Sequence, residues 1–400
     1  MKKIVVSICA VMLFSANSAM DVKAVNELEI SAKGAVLISA DTGEIIYSVN
    51  CDEKLPMAST TKIMTTLLCL ESGNLYEEFE VDGDAIMVEG SSMGLQKGDI
   101  VTKYALCCGM LLPSGNDSAN ATAVKLAGSL ENFAVMMNDK AKELGLSRTW
   151  FVTPSGLEGE GHGSSAYDMA ILAREALKNE IFREICSSPT IKTEFGNPPY
   201  TRWLKNTNKL LTMYDGVYGV KTGFTDEAGR CLVSACERDG INLICVTLND
   251  RNDWNDHMAM YDYGFENAHN IQLDIPENLS MNIAGAETDS LSLTAEDVEI
   301  TVFEADKNDF EYQVISAPFV YAPVSRGEEV AQLSISYNGR EIRRIPLFAD
   351  SDEPVKMIKT TPEKKGFFRK LTEKFTKKEN LIGKNKNTKN DCGQRLLFTP

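Results

Sequence analysis

Histidine and tryptophan are scarce in this sequence, with three of each among 400 residues. Zinc sites draw on histidine and cysteine at short spacings, and no such group occurs here, so no zinc site is predicted. No other metal and no organic cofactor is implied either. The sequence also lacks runs of 18 or more apolar residues, which excludes a multi-span membrane protein. The apolar fraction of 43% and the charged fraction of 24% are typical of globular proteins. At this length we expect one large domain and a smaller one.

Positive charge is in short supply everywhere except at the C-terminus. The whole chain carries a formal net charge of −16. Residues 354–400 contain 13 Lys+Arg and 4 Asp+Glu, a net charge of +9, so the remaining sequence carries −25. The acidic body disfavours nucleic-acid binding. The basic tail predicts a partner with an acidic surface instead.

The N-terminal sequence MKKIVVSICAVMLFSANSAM is typical of a secretory signal peptide. Two lysines precede an apolar stretch over residues 4–14, which is too short to span a bilayer, and small residues follow. Cleavage after Ala19 and cleavage after Ala24 both fit this pattern, and an N-terminal core helix is the alternative. We predict a signal peptide over residues 1–24 and therefore an exported protein.

The ten cysteines do not form a recognisable disulfide pattern. Cys9 would leave with the signal peptide, so an odd number of cysteines would remain. Cys107 and Cys108 are adjacent, and three more lie in strand-like sequence between residues 231 and 245. We expect most of the cysteines to be small buried hydrophobic side chains.

The sequence from about residue 30 to 270 mixes strands and helices. Residues 36–48 predict a hairpin, and the Asp-Gly pair at 239–240, between two apolar runs, predicts another. Residues 117–144 and 166–179 have the apolar spacing of helices. We therefore expect a mainly antiparallel sheet packed against helices in this part of the chain.

From about residue 271 the pattern changes to short alternations of apolar and polar residues. The Asn-Gly pair at 338–339 is the preferred turn of a two-residue hairpin. A separate all-β unit is therefore predicted in residues 271–352.

The basic tail contains the segment KKGFFRKLTEKF. Its apolar residues fall within an arc of about 100° on a helix and are flanked by lysine and arginine. Such a helix is predicted to lie on an anionic membrane surface. A solvated tail and a helix docked on a protein partner are the alternatives, and residues 380–400 have the composition of a disordered segment.

The stretch MASTTKIMTT, residues 57–66, places Ser59 three residues before Lys62 at the start of an apolar run. Positions i and i+3 of a helix share a face, so the two side chains can touch. Burial and a second cation both lower the pKa of a lysine, and a neutral lysine can take the proton of a serine nucleophile. The motif alone also fits a helix N-cap followed by a lysine that extends to solvent.

Two further motifs follow in order along the chain. LLPSGNDSAN carries Ser114 and Asn116 in a turn before a helix, which can aim both side chains into a cleft; a turn with an N-cap is the alternative. GVYGVKTGFTDEAGRC carries a Lys-Thr-Gly motif that begins at Lys221, at the start of an edge-like strand. Lys221 can offer a positive charge to an anionic substrate group and can lower the pKa of Lys62. A surface lysine on a strand is the alternative.

In this order the three motifs resemble those of the penicillin-recognising serine enzymes. The sequences PMASTTKIMT, LLPSGNDSANATA, TPSGLEGEGHGSSAYDMA and GVKTGFTDEAGRCLVSA further resemble the D-alanyl-D-alanine carboxypeptidases, the low-molecular-mass penicillin-binding proteins. The resemblance runs from about residue 33 to 265, and more loosely beyond.

The resemblance implies an α/β (α+β) fold, with a transpeptidase-like domain whose mainly antiparallel sheet is flanked by helices. A small all-β domain and a C-terminal amphipathic helix would follow. The expected boundaries are 1–24 for the signal peptide, 25–270 for the catalytic domain, 271–352 for the all-β domain and 353–400 for the membrane-anchoring tail.

The resemblance also implies the chemistry of the first two motifs. Ser59 would attack the carbonyl between the two D-alanines of a peptidoglycan stem peptide and become acylated, with Lys62 as its base. Ser114 and Asn116 would relay protons and hold the substrate amide. β-Lactam inhibitors would acylate the same serine.

For the third motif, the resemblance implies that Lys221 and Thr222 bind the terminal carboxylate, helped by Thr225. Gly223 would leave backbone room for the substrate. The oxyanion hole would be the backbone N–H of the nucleophile and that of Phe224, where many relatives have histidine.

Three more residues match the family without a settled role in catalysis. His162 would hold the loop that precedes it. Arg251 and His257 are both candidates for a second contact with the carboxylate, and the sequence does not choose between them.

Three other functions remain open at this point. A class A β-lactamase would need a glutamate to activate water, for which Glu158 and Glu160 are candidates, but the all-β unit and basic tail do not fit it. A D,D-endopeptidase acting on peptide cross-links would use the same residues. A catalytically inactive wall-binding protein would be expected to have lost part of the three motifs, which are complete here.

Overall fold

The computed structural model describes residues 28–357. The predicted signal peptide and the predicted amphipathic tail helix lie outside the described residues. Within the described range, no helix combines the length and the apolar character needed to cross a bilayer.

The helices of residues 28–357 are short to medium in length. In chain order they are α1 (Lys62–Glu71), α2 (Lys103–Leu111), α3 (Asn116–Ala127), α4 (Leu130–Glu143), α5 (Ala166–Ala176), α6 (Glu180–Ser187), α7 (Leu210–Met213) and α8 (Asp253–Asn267). A 3-10 turn over Ala58–Thr61 leads into α1.

The strands fall into two groups, one before and one after α8. The first group is β1 (Gly34–Ser39), β2 (Ile45–Val49), β3 (Glu78–Glu80), β4 (Ile100–Thr102), β5 (Thr190–Gly196), β6 (Pro199–Lys205), β7 (Val217–Thr225), β8 (Gly229–Arg238) and β9 (Ile241–Leu248). The second group is β10 (His269–Gln272), β11 (Ser280–Ala284), β12 (Ser290–Thr294), β13 (Glu299–Val302), β14 (Phe310–Ile315), β15 (Val320–Tyr321), β16 (Glu329–Tyr337) and β17 (Arg340–Ala349).

A five-stranded antiparallel sheet in the order β2-β1-β9-β8-β7 is the centre of the larger part. The hairpin predicted at Asp239 and Gly240 is present and joins β8 to β9. The φ angles of these two residues, 52° and 80°, are the left-handed values that a two-residue turn requires. β7 is an edge strand, as the sequence predicted, but it begins at Val217, so Lys221 lies in its middle and not at its start.

Helices cover both faces of this sheet, and β1 shows how. Val36 and Ile38 belong to a large hydrophobic cluster that also contains side chains of α1 to α6. Leu37, which points the other way because strand side chains alternate, packs in a second cluster with Met260 and Tyr261 of α8. Burial on both faces explains why β1 is a continuous apolar run.

The helical character predicted for residues 117–144 is confirmed, and the structure divides this segment into two helices, α3 and α4. Gly128 ends α3 in a left-handed conformation with φ of 78°. Ser129 then begins α4, where its side chain accepts a hydrogen bond from the backbone N–H of Asn132. Glycine after a helix and serine before one are common boundary signals, and here they outweigh the continuous apolar spacing.

The smaller part, all-β as predicted, is built around a six-stranded sheet in the order β14-β16-β17-β12-β11-β15. The predicted hairpin at Asn338 and Gly339 joins β16 to β17, with φ angles of 51° and 71°. Two hydrophobic clusters lie within this part. It therefore has a core of its own.

Two carboxylates in the connection between β1 and β2 attach the all-β part to the larger part. Asp41 Oδ2 accepts a hydrogen bond of 2.8 Å from the backbone N–H of Thr301. The Glu44 carboxylate accepts from three successive backbone N–H groups, residues 303–305, at 2.7 to 3.1 Å. Charged acceptors make stronger hydrogen bonds than neutral ones, so these contacts fix the junction.

The cysteines within the described range are free thiols, and all but Cys51 are buried. This confirms the expectation that they serve as small hydrophobic side chains. Burial raises the pKa of Cys186, Cys231 and Cys236 to about 12, because a thiolate would lose its hydration.

Candidate active site

Ser59 lies in the 3-10 turn Ala58–Thr61, and α1 begins only at Lys62. The prediction that one α-helix holds both residues is therefore wrong in detail. Side chains three residues apart eclipse each other in a 3-10 turn, so this geometry brings the serine and lysine together directly. Ser59 is half-buried, whereas Lys62 is fully buried.

Three oxygen atoms surround the Lys62 amine. Its Nζ lies 2.8 Å from Ser59 Oγ, 2.7 Å from Asn116 Oδ1 and 2.6 Å from the carbonyl oxygen of Ser155. The amide and carbonyl oxygens can only accept, so they use two N–H donors of the lysine. A neutral amine would then direct its lone pair at the Ser59 hydroxyl. The arrangement fits a base that takes the serine proton.

The surroundings of Lys62 favour its neutral form. Burial lowers its pKa well below the usual value of 10.5, because the ammonium group loses its hydration. The positive charge of Lys221 lowers this pKa further, and Asp117 opposes the shift. The neutral amine that these surroundings favour is the form able to accept a proton from the Ser59 hydroxyl.

Asn116, the first residue of α3, is held in place from three sides. Its Oδ1 accepts from Lys62, its Nδ2 donates to the carbonyl of Glu89 at 2.7 Å, and its backbone N–H donates to that of Ser91 at 2.7 Å. Ser114 is buried and has a φ of 65°, a left-handed value that is costly for a residue other than glycine. Its hydroxyl forms no hydrogen bond with another residue of the range 28–357 and is thus available to a substrate.

Asp117 is a site residue that the sequence analysis missed. Its buried carboxylate accepts hydrogen bonds from the Ser92 hydroxyl at 2.6 Å and from the backbone N–H groups of residues 93–95 at 3.0 Å. It therefore holds this loop against the turn that contains Ser114. The available signal was an aspartate in the first turn of a predicted helix, directly after the motif.

Lys221 on β7 is the second buried lysine of the site. Only 1% of its surface is exposed, and burial lowers its pKa to about 7. Its Nζ donates a hydrogen bond of 2.7 Å to the carbonyl of Thr222. Because this acceptor is neutral, an incoming carboxylate would supply the missing counter-charge and favour the protonated lysine.

Gly223 lets β7 approach the serine turn. A Cβ atom added to Gly223 would lie 3.1 Å from the backbone nitrogens of Ser59 and Thr60 and 3.1 Å from the carbonyl oxygen of Met57. All three are backbone atoms, which cannot move aside as the end of a side chain can. Glycine is therefore required where the strand passes the nucleophile.

The next two residues of β7 complete the set predicted from the sequence. The Phe224 side chain is 63% exposed, and a role of its backbone N–H at the site would not depend on which side chain stands there. The Thr225 hydroxyl accepts a hydrogen bond of 3.0 Å from the backbone N–H of Ala228 and so stabilises the turn into β8.

His162 holds its loop against the serine turn, in agreement with the structural role predicted. Its Nδ1 accepts from the backbone N–H of Val152 at 2.9 Å, and its Nε2 lies 2.9 Å from the Thr61 hydroxyl. Burial lowers its pKa to about 4, so the ring is neutral at pH 7 with the proton on Nε2. Glu158 and Glu160, on the same loop, are exposed. Within residues 28–357, neither forms a hydrogen bond with Ser59 or Lys62.

His257 does not bind the substrate carboxylate, because it is fully buried between α8 and the sheet. Its Nδ1 lies 2.7 Å from the Ser234 hydroxyl and its Nε2 lies 3.1 Å from the Thr247 hydroxyl, so both nitrogens are used. This burial could not be predicted from the sequence, since α8 also carries many polar residues. Arg251, the other candidate, is exposed in the connection between β9 and α8.

Residues 28–357 contain no group of three or more His, Cys, Asp or Glu side chains arranged to hold a metal ion.

Comparisons with known families and solved structures agree with the chemistry that this site indicates. A family model described as D-alanyl-D-alanine carboxypeptidase matches residues 21–252, and one described as the penicillin-binding protein 5 C-terminal domain matches residues 280–355. D-alanyl-D-alanine carboxypeptidase DacF of Bacillus subtilis is 34% identical over 84% of this chain and 90% of that protein. DacC of Escherichia coli is 30% identical over 80% of this chain and 83% of that protein. The solved structure of penicillin binding protein 5 from Haemophilus influenzae matches with a TM-score of 0.60 and 26% identity, covering 82% of this chain and 99% of that one.

Proposed function

Because the chain belongs to the D-alanyl-D-alanine carboxypeptidase family of serine hydrolases, we propose that it removes the terminal D-alanine from peptidoglycan stem pentapeptides through an acyl-enzyme on Ser59. The observation that carries this proposal is the contact of 2.8 Å between the Ser59 hydroxyl and the buried amine of Lys62. A lysine whose pKa is lowered can activate a serine nucleophile by accepting its proton.

The acylation step follows from the arrangement of the side chains. Ser59 Oγ bonds to the carbonyl carbon of the penultimate D-alanine, and its proton passes to Lys62 Nζ. The developing oxyanion accepts hydrogen bonds from the backbone N–H groups of Ser59 and Phe224. The C–N bond then breaks, and the leaving D-alanine amine takes up a proton relayed through Ser114.

Deacylation reverses these roles with water as the nucleophile. Water gives one proton to Lys62 and bonds to the ester carbon, and the C–O bond to Ser59 breaks. The proton returns to the serine oxygen, and the shortened peptide leaves with a new carboxylate. A β-lactam enters the same first step, but its leaving group stays attached to the acyl-enzyme.

A direct test compares the protein from residue 25 onwards with its Ser59→Ala variant. We expect the parent to release D-alanine from a stem pentapeptide and to gain a long-lived benzylpenicillin adduct, located at Ser59 by peptide mapping. The variant should do neither while keeping its thermal midpoint. Rapid loss of penicillin without a lasting adduct would instead indicate a β-lactamase, and a folded parent that shows neither activity would refute an enzymatic function.

Cleavage of peptide cross-links by the same residues is the second candidate activity. It would require the site to accept a substrate that continues past the scissile bond. Incubation with a purified cross-linked muropeptide dimer distinguishes the two, since an endopeptidase would produce monomers and a carboxypeptidase would release only terminal D-alanine.

We further propose that the protein is exported and attached to the outer face of the cytoplasmic membrane by its basic tail. The sequence pattern supports this: a signal-like N-terminus and a C-terminal segment with a net charge of +9. Vesicles of phosphatidylglycerol and phosphatidylcholine should bind the chain 25–400 and release it at high salt. A chain ending at residue 357 should not bind, and equal binding of the two chains would refute the proposal.

A further inference from the structure

Thr207 lies in a firmly held turn between β6 and α7, at the carboxylate end of the site. The asparagines on either side of it fix the turn. Asn206 Nδ2 donates to the carbonyl of Cys186 at 3.0 Å, and the buried Asn208 Nδ2 donates to that of Gly219 at 2.8 Å. Thr207 itself is exposed, so its side chain is displayed from a rigid support.

The Thr207 hydroxyl bridges two walls of the site. Its Oγ1 lies 2.8 Å from the Thr222 Oγ1 on β7. It also lies 3.3 Å from the carbonyl oxygen of Leu112, to which the backbone N–H of Thr207 donates at 3.2 Å. Leu112 is two residues before Ser114. The residue therefore links the strand that would bind the carboxylate to the turn that would relay protons.

Counting protons shows that this arrangement conflicts with the role proposed for Thr222. A carbonyl oxygen can only accept, so the contact with Leu112 uses the single proton of the Thr207 hydroxyl. The proton between the two threonines must then come from Thr222. Used in this way, the Thr222 hydroxyl has no proton left to donate to a substrate carboxylate.

We propose that Thr207 is a positioning residue that directs the Thr222 hydroxyl towards the substrate carboxylate, an inference that rests on the proposed carboxypeptidase function. When a carboxylate arrives, Thr222 turns its proton towards it. Thr207 then gives up the contact with Leu112 and donates to Thr222 instead. A long neutral hydrogen bond is exchanged for a polarised chain that ends on a charged acceptor, which is the stronger arrangement.

The test uses three variants of the chain 25–400: Thr207→Val, Thr207→Ser and Thr222→Val. Valine has the shape of threonine without the hydroxyl, and serine keeps the hydroxyl. For release of D-alanine from an acyl-D-alanyl-D-alanine peptide, we expect Thr207→Val to raise KM about three- to tenfold with little change in kcat. Thr207→Ser should stay within about twofold of the parent. Because Thr207 is exposed, the thermal midpoints of its two single variants should agree with that of the parent.

The double variant Thr207→Val/Thr222→Val decides whether Thr207 acts through Thr222. If it does, the double variant should have the KM of Thr222→Val alone, since Thr207 then has no hydroxyl left to direct. Multiplying effects would overturn the proposal. So would an unchanged KM in Thr207→Val, or a loss in Thr207→Ser as large as that in the valine variant. D-alanine release by the parent is measured before that of any variant. A parent that releases none would refute the proposed function itself.

Discussion

At the scale of single residues, the proposed reaction depends on two buried lysines that need opposite protonation states. Lys62 must be neutral to accept the serine proton, and Lys221 must be charged to attract a carboxylate. The charge of Lys221 lowers the pKa of Lys62, because like charges repel in a site with little water. Burial and this neighbouring charge both favour the neutral form of Lys62, which fits this division of roles.

A pH profile tests this division. Since the pKa of Lys221 is about 7 in the free protein, its charge is lost as the pH rises through that value. We expect kcat/KM for a carboxylate-ended peptide to fall on the alkaline side for this reason, and on the acid side as Lys62 becomes protonated. In the variant Lys221→Arg the charge persists, so the alkaline fall near pH 7 should disappear.

The measurement is D-alanine release between pH 5.5 and 9.5 for the parent and for Lys221→Arg. The acid side of the profile serves as the internal control, because Lys62 is present in both proteins. The same alkaline fall in both would show that another group causes it.

At the scale of elements, β7 and the serine turn approach each other through their backbones. Gly223→Ala would place a Cβ 3.1 Å from three backbone atoms, so the strand must move away from the nucleophile. We expect acylation by benzylpenicillin to slow by at least about tenfold, with a loss of about 1–3 kcal/mol in the free energy of unfolding. Stopped-flow acylation and urea unfolding would measure the two effects.

Gly34→Ala in β1 is a matched control for that variant. Its added Cβ would also meet an atom at 3.1 Å, but that atom is the terminal Cδ1 of Leu55, which can turn aside. We expect this variant to acylate at the parental rate. Equal slowing in both variants would mean that the approach of β7 is not the cause.

His257, buried between α8 and the sheet, should make the free energy of unfolding depend on pH. Burial holds the pKa of His257 at about 3, against 6.5 in an unfolded chain. A lowered histidine pKa means that its contribution is complete above pH 6.5 and is lost as the pH falls towards 3. The loss should be about 1.4 kcal/mol per pH unit in the free energy of unfolding.

The variant His257→Gln cannot titrate and should show a flatter dependence. Urea unfolding at pH 4.5, 5.5, 6.5 and 7.5 would measure it. His162, with a pKa of about 4, should leave a residual slope of the same sign. An unchanged slope in the variant would show that His257 remains charged in the folded protein.

Local sequence signals predicted the turns well, because a single interaction dominates in each of them. The turns at 239–240 and 338–339 were predictable because Asp-Gly and Asn-Gly tolerate left-handed φ angles. The contacts of Asp117, Thr207 and His257 were not, since each joins residues that are distant in sequence or hidden within a polar helix. The motif residues could be identified because nearly all of them lie within three short segments.

At the scale of the whole molecule, hydrogen bonds to two carboxylates help to attach the all-β part to the larger part. Asp41 and Glu44 accept four backbone N–H groups between them, and neither carboxylate lies in the site. In the double variant Asp41→Asn/Glu44→Gln, we expect the junction to loosen because neutral acceptors bind these groups more weakly.

The outcome of this variant has two parts. Small-angle scattering should show a wider distribution of overall dimensions, while benzylpenicillin acylation should stay within about twofold of the parent rate. A matching loss of acylation would show that the all-β part supports the site directly.

The buried thiols have a practical consequence for watching this protein move. Protonated and shielded, they should resist alkylating reagents in the native state, so each can be modified only when its surroundings open. Because they lie in both hydrophobic clusters of the larger part, their alkylation rates would report the breathing of each helical layer separately. The molecule thus carries its own set of reporters for local opening, without any engineered label.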